Sequence, residues 1–159
     1  MTSIFALALV LTGCTDTSPE AEAARKWRGQ VEPLLHENAL LAEQVLETGA
    51  DVYNGTGDAE KIETHWREAV VPTAKHLQHQ AELVQAPEAW AARQKTLVET
   101  WADRATAYDE VLVALETGDK ELWGVGRKRS DEAKLREEKW FKVVNQELAP
   151  FDLVLDQFP

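Results

Sequence analysis

The stretch that decides the fold is Trp90–Asp119, "WAARQKTLVETWADRATAYDEVLVALETGD". Its larger side chains recur in alternating steps of four and three residues, which keeps them on one face of an α-helix directed at a partner helix. This stripe comprises Trp90, Gln94, Leu97, Trp101, Arg104, Tyr108, Val111 and Leu115. Pro87 precedes the stripe and suits a first helical turn, whereas Gly118 follows it and suits a left-handed cap. The pattern therefore predicts one long helix between Pro87 and Gly118.

Three other long segments have the same helix-forming composition, rich in Ala, Leu, Glu, Gln, Lys and Arg. Turn signals separate the segments near Gly49–Gly57, at Ala86-Pro87 and at Gly118. Because short connections place consecutive helices side by side and antiparallel, the sequence predicts an all-α fold, an antiparallel up-down-up-down four-helix bundle over residues 25–159.

Two prolines lie inside helical patterns, at the ends of the similar stretches Trp27–Pro33 ("WRGQVEP") and Trp66–Pro72 ("WREAVVP"). A proline inside a helix removes one hydrogen bond and clashes with the preceding turn. Either each proline begins a new helix, or both helices kink and open a space lined by Trp27 and Trp66. The second alternative predicts a ligand pocket between helices; in the first, the two indoles fill the core.

Two charged residues occupy positions that a bundle would bury. Arg104 lies on the third stripe and Glu137 on the fourth, and a hairpin about Gly118 would bring them to a comparable depth. We therefore predict a partly buried ion pair that fixes the register of the last two helices.

Three of the four histidines lie on the second segment, where His65, His76 and His79 fall within an arc of about 60° on an ideal helix. His76 and His79 are one turn apart, and Glu82 follows on the same side. Imidazole and carboxylate together suit zinc, copper or iron, so these three residues form a candidate metal site. Histidines at the solvent-exposed edge of the helix are the alternative explanation.

Charge and motif content restrict the classes of function. The formal net charge of −11 opposes nucleic-acid binding and electrostatic adhesion to anionic lipid. The sequence contains neither a Gly-x-Ser-x-Gly motif nor a glycine-rich phosphate loop. We therefore expect no nucleic-acid partner, no catalytic residues, no enzymatic activity and no dissociable cofactor.

The amino-terminal residues have the pattern of a targeting signal. Ile4–Leu11 is an apolar run of eight residues, too short to span a bilayer but suited to the core of a secretory signal. The sequence Leu11-Thr12-Gly13-Cys14 that ends this run resembles the lipobox of bacterial lipoproteins. The resemblance implies cleavage before Cys14, a diacylglycerol on the Cys14 sulfur and often a further acyl chain, such as palmitate, on the freed amino group.

The same resemblance implies the domain organisation and the location. Residues 1–13 would be the signal peptide, 14–24 a lipidated tether and 25–159 the helical domain. Acyl chains would then hold the protein in the cell envelope, since two or three chains bind a membrane firmly. Thr15 after the cysteine favours the periplasmic face of the outer membrane over the inner membrane or the cell surface.

These observations predict a membrane-tethered extracytoplasmic lipoprotein that acts as a non-catalytic binding or scaffolding module, with a protein as one class of partner. The alternative is a periplasmic helical bundle that binds a metal or a small ligand.

Overall fold

The computed structural model of the chain describes residues 18–156. The predicted signal peptide, residues 1–13, and the predicted lipid-attachment residue Cys14 lie outside this range. The described residues form helices and turns without a strand. Five α-helices are present in this range, α1 (Pro19–Asn54), α2 (Ala59–His65), α3 (Val71–Leu83), α4 (Ala91–Thr117) and α5 (Lys120–Leu148).

These helices form four helical segments that pack on a common core. A π-helical turn, Trp66–Val70, joins α2 to α3 into the second segment. Short 3-10 turns precede α4 and follow α5, at Glu88–Trp90 and Ala149–Phe151. The prediction of an all-α fold with four packed helical segments is confirmed. No helix among residues 18–156 combines the length and the apolar character that crossing a bilayer requires.

The start of α1 differs from the sequence prediction. Ser18 caps the helix, because its Oγ accepts a hydrogen bond from the Ala21 N–H at 3.1 Å, and Pro19 occupies the first turn. Ala21 and Ala24 are fully buried. Residues 19–24, which fall within the predicted tether 14–24, are therefore helical and belong to α1.

The connection between α4 and α5 is a tight one. Gly118 has φ 71°, the left-handed conformation that the sequence predicts for this cap. Asp119 then caps α5, because its Oδ1 accepts from the N–H groups of Glu121 and Leu122 at 2.9 and 3.0 Å. Two residues thus suffice to end one helix and begin the next, and α4 and α5 are neighbours.

Gly126 allows α4 and α5 to approach each other closely. A Cβ atom at this position would lie 2.8 Å from the Ala107 carbonyl oxygen and 3.0 Å from Val111 Cγ2. No side chain fits there without movement of the neighbouring helix. The glycine that lowers intrinsic helix propensity is thus required by the packing.

The two prolines have different structural roles, although their sequence contexts are similar. Pro33 lies within α1, which continues through it without interruption. Pro72 lies in the first turn of α3, directly after the π-helical turn, in which the Val71 N–H donates to the Trp66 carbonyl. The widened turn accommodates a residue that lacks an N–H, so only the second proline marks a helix start.

The core contains the stripe that the sequence defines on α4. Seven of its eight members are buried, including the polar Gln94 and Arg104, and Leu115 packs partly buried at the edge. Trp27 of α1 stacks on Trp90 with ring centroids 4.6 Å apart and meets Trp140 of α5 edge-on. Aromatic packing therefore ties α1, α4 and α5 together at one end of the core.

Candidate binding cleft

The predicted ion pair between Arg104 and Glu137 is present and is confirmed. Arg104 Nη2 lies 2.6 Å from Glu137 Oε2, and the two side chains are 9% and 12% exposed. Burial alone would lower the pKa of Arg104, but the charge of Glu137 and its hydrogen bonds raise this pKa above the ordinary value. Arg104 therefore keeps its positive charge beside the Glu137 carboxylate.

Two further side chains complete a polar network around this pair. Asn38 of α1 accepts from Arg104 Nη1 at 2.7 Å and donates to Glu137 Oε1 at 3.1 Å. Trp101 Nε1 donates to the same Glu137 oxygen at 2.7 Å. Because the network joins α1, α4 and α5, it fixes the position of α1 relative to the last two helices.

An open cleft of about 770 Å³ lies above this network, between α1 and α5. Arg104 and Tyr108 of α4 form its floor, together with Asn38 and Glu137. The α1 wall is apolar except for one carboxylate and consists of Ala39, Leu41, Ala42, Glu43, Val45 and Leu46. The α5 wall consists of Ser130, Asp131, Lys134, Glu138 and Phe141. The volume falls within the range of small-molecule sites in proteins.

Tyr108 is a neutral hydroxyl at the floor of the cleft. Burial raises the pKa of Tyr108 above its ordinary value of 10.0, against the opposing effect of the positive charge of Arg104. Arg104 next to it is held by Glu137 and Asn38. Arg104, Glu137 and Asn38 in the floor are therefore bonded to one another.

The mouth of the cleft combines apolar and acidic side chains. Leu46 is 74% exposed at the α1 edge. Glu43 on α1 and Glu138 on α5 are both exposed and line the cleft from opposite walls. The cleft thus combines a polar floor, an apolar α1 wall and carboxylates at its mouth.

The structure places the two tryptophans that the sequence singled out in separate parts of the core. Trp27 is fully buried, and its Nε1 donates to Gln94 Oε1 at 2.9 Å. Trp66 is 4% exposed, packs edge-on against Tyr108 and donates to Thr48 Oγ1 at 2.9 Å. The structure therefore does not bring them together, and the cleft between α1 and α5 has other walls.

The histidines are likewise separated. His65 Nε2 lies 2.8 Å from the Gln44 carbonyl oxygen and faces α1. His76 and His79 are about half exposed and lie 3.7 Å from Glu37 and Glu82, respectively. The π-helical turn between His65 and His76 changes the rotation that an ideal helix predicts, which separates their faces.

Within residues 18–156, no group of three or more His, Cys, Asp or Glu side chains is arranged to hold a metal ion. His79 Nδ1 lies 3.7 Å from Glu82 Oε2, whereas His76 Nε2 lies 3.7 Å from Glu37 of α1. The candidate metal residues thus form a pair along one helix edge.

The comparisons with known proteins add no relative: no family model, curated protein or solved structure matches this chain. The cleft is therefore interpreted from its own geometry.

The sequence analysis predicted the Arg104–Glu137 pair, which lies in the floor, but not the cleft itself. Arg104, Tyr108 and Glu137 stand on the helical stripes, where a polar residue is conspicuous. Asn38 and Glu43 belong to α1, which is distant from α5 in the chain. That both residues face the cleft depends on the spacing of these two helices. The one available signal was Asn38 itself, an amide on α1 three residues before the buried Leu41.

Proposed function

We propose that this protein is a membrane-tethered extracytoplasmic lipoprotein whose helical body is a non-catalytic binding module. The cleft between α1 and α5 is the observation that supports the binding function. Its floor is held by the Arg104–Glu137–Asn38 network, and its walls are open to solvent. A rigid floor under an open, partly apolar cleft is suited to holding a ligand in one orientation.

The lipobox sequence Leu11-Thr12-Gly13-Cys14 supports the membrane attachment. In this proposal the signal peptide is removed before Cys14 and the acylated cysteine anchors the chain at the periplasmic face of the outer membrane. Anchoring by lipid is consistent with the net charge of −11, because an acidic protein gains no electrostatic attraction to anionic lipid.

We also propose the up-down-up-down order for the four helical segments. The two-residue connection at Gly118-Asp119 and the short connection after Asn54 support it, since short connections favour antiparallel neighbours. This order makes α1 and α5 the first and last helices of the bundle, and the cleft is the seam that no connection crosses.

Membrane attachment is tested with Cys14→Ala in cells fed an alkyne fatty acid. The wild-type chain should incorporate the label and fractionate with membranes, whereas the variant should do neither. Equal membrane recovery of both forms, with no label on the wild type, would refute the anchor.

The binding function is tested with a photo-reactive residue in place of Leu46, which is 74% exposed and lines the cleft. Leu83, which is 59% exposed at the end of α3, is the matched control. Irradiation in cells should add a defined mass at position 46 and not at position 83, and Ala42→Trp should prevent the addition. Identical adducts at both positions would indicate non-specific contact and contradict the proposal.

A further inference from the structure

We infer that the cleft between α1 and α5 takes an organic cation that carries an apolar chain, that is, an amphiphilic amine or quaternary ammonium compound. The inference rests on the proposed binding function and specifies its ligand class. Three properties of the cleft support this inference: the apolar α1 wall, the sign of the charge and the dimensions.

The apolar chain would lie against the α1 wall. Leu41, Ala42 and Val45 form this wall, and Leu46 extends it to the mouth. Phe141, 9% exposed, faces them from α5. Leu41 and Phe141 are already nearly buried, so a bound chain would cover mainly Ala42, Val45 and Leu46. Removing this apolar surface from water is the main driving force for binding a hydrocarbon chain.

The charge of the cleft selects a cation. Four carboxylates line it, those of Glu43, Asp131, Glu137 and Glu138, against the two cationic side chains Arg104 and Lys134, which leaves a formal charge of −2. Glu137 and Arg104 neutralise each other in the floor. The uncompensated carboxylates are therefore at the mouth, where the head group of an inserted chain would lie.

Lys134 does not reverse this preference. It is exposed on α5, three residues after Asp131 and four residues before Glu138, so both acidic neighbours lie on its own helix face. An anionic head group would have to compete with these two carboxylates and would also meet Glu43 from the opposite wall. A cationic head group meets three carboxylates and one ammonium.

The dimensions favour a small molecule over a docked protein helix. The α1 wall extends from Asn38 to Leu46, about 12 Å, and the α5 wall from Ser130 to Phe141, about 16 Å. These lengths match a hydrocarbon chain of about a dozen carbons. They accommodate only two or three turns of a helix, and the volume of about 770 Å³ is that of a small-ligand site.

The test is isothermal titration of the full chain carrying Cys14→Ala with three probes that share a twelve-carbon chain. The probes are dodecyltrimethylammonium, dodecanoate and the neutral dodecyl maltoside, each kept well below its micellar concentration. We expect saturable binding of one equivalent of dodecyltrimethylammonium, with at least about tenfold weaker binding of dodecanoate, because the cleft carries net negative charge. Raising the salt concentration should reduce this difference.

Two sets of variants locate the site. Glu43→Gln/Glu138→Gln should weaken binding of the cation about three- to tenfold and leave binding of dodecyl maltoside unchanged, since only the charge is removed. Glu60→Gln/Glu88→Gln, which alters two exposed carboxylates outside the cleft, is the matched control and should change neither. Ala42→Trp should abolish binding of the cation, and because Ala42 is exposed, the melting temperature should stay the same.

Equal affinity for the three probes, or loss of cation binding in the Glu60/Glu88 control as well, would overturn the inference. So would the absence of saturable binding of dodecyltrimethylammonium. None of these results decides the proposed function, which the cross-linking at Leu46 and the acylation of Cys14 test independently.

Discussion

The guanidinium of Arg104 and the carboxylate of Glu137 meet at 2.6 Å on the interface of α4 and α5, and each side chain is about nine-tenths buried. Arg104→Ala is expected to lower the free energy of unfolding by about 3–5 kcal/mol, because Glu137 is left buried without its counter-charge. Urea denaturation monitored by circular dichroism measures this loss.

The double variant Arg104→Met/Glu137→Leu is the control for this prediction. It replaces both charges by apolar side chains of similar size, so no uncompensated charge remains, and it should lose less stability than Arg104→Ala. A double variant as unstable as the single one would show that the two residues do not act as a pair.

Gly126→Ala should destabilise the protein by about 1–3 kcal/mol, because the added methyl group would meet the Ala107 carbonyl and Val111. Gly124→Ala, two residues earlier in α5, is the matched substitution, since an added Cβ there meets nothing within 4 Å. It should be neutral or stabilising by up to about 1 kcal/mol through helix propensity. Thermal unfolding of both variants checks the contrast, and a stabilised Gly126→Ala would contradict the close approach of α4 and α5.

Gln94→Ala should cost about 1–3 kcal/mol. The Gln94 side chain accepts from Trp27 Nε1 at 2.9 Å and donates to the Ala81 carbonyl at 2.6 Å, so its removal leaves a buried indole N–H and a carbonyl without these partners. Gln30→Ala provides the comparison, because Gln30 makes only long, exposed hydrogen bonds: it donates to the carbonyls of Lys26 and Gln85 and accepts from the Gln85 N–H. This variant should change stability by less than about 0.5 kcal/mol. Equal losses in the two variants, measured by urea denaturation, would refute the bridging role of Gln94.

Acid should weaken the packing of α4 against α5 through Glu147. The hydrogen bonds from Arg93 lower the pKa of Glu147 below its ordinary value of 4.5. A lowered pKa in the folded state means that the pair stabilises the fold above pH 4.5, and that this contribution disappears as the pH falls through the lowered value. Because both side chains are more than a third exposed, the effect should stay below about 1 kcal/mol.

Stability curves of the wild type and Glu147→Gln between pH 7 and pH 2 test this expectation. The variant should be slightly less stable at neutral pH and should converge with the wild type in acid. Parallel curves across the whole range would show that the Arg93–Glu147 contact contributes no measurable free energy.

The sequence predicts most of the architecture because helical periodicity is a local property. The alternation of four and three residues on α4 identified its buried face, including the charged Arg104, and the position of Gly118 identified its end. The pairing of Arg104 with Glu137 followed from a hairpin whose length is fixed by a two-residue connection. Each of these predictions needed only neighbouring elements.

The cleft could not be predicted in the same way, because it depends on the distance between the first and last helices. Asn38 reaches Glu137 across 99 residues of sequence, and no periodicity encodes that spacing. The pocket expected near Trp27 and Trp66 also depended on the assumption that Pro33 and Pro72 act alike. In the structure α1 continues through Pro33, whereas a π-helical turn, Trp66–Val70, precedes Pro72 in the second segment.

The start of α1 at Pro19 determines how far the cleft can reach from a lipid anchor. Between Cys14 and Pro19 the backbone can extend over at most about 17 Å, and Asn38 lies about 28 Å further along the helix. With Cys14 acylated, the site would therefore sample a shell about 45 Å deep next to the bilayer. The cleft would then meet molecules that partition to the lipid surface. Their concentration there would be far above that in the surrounding compartment.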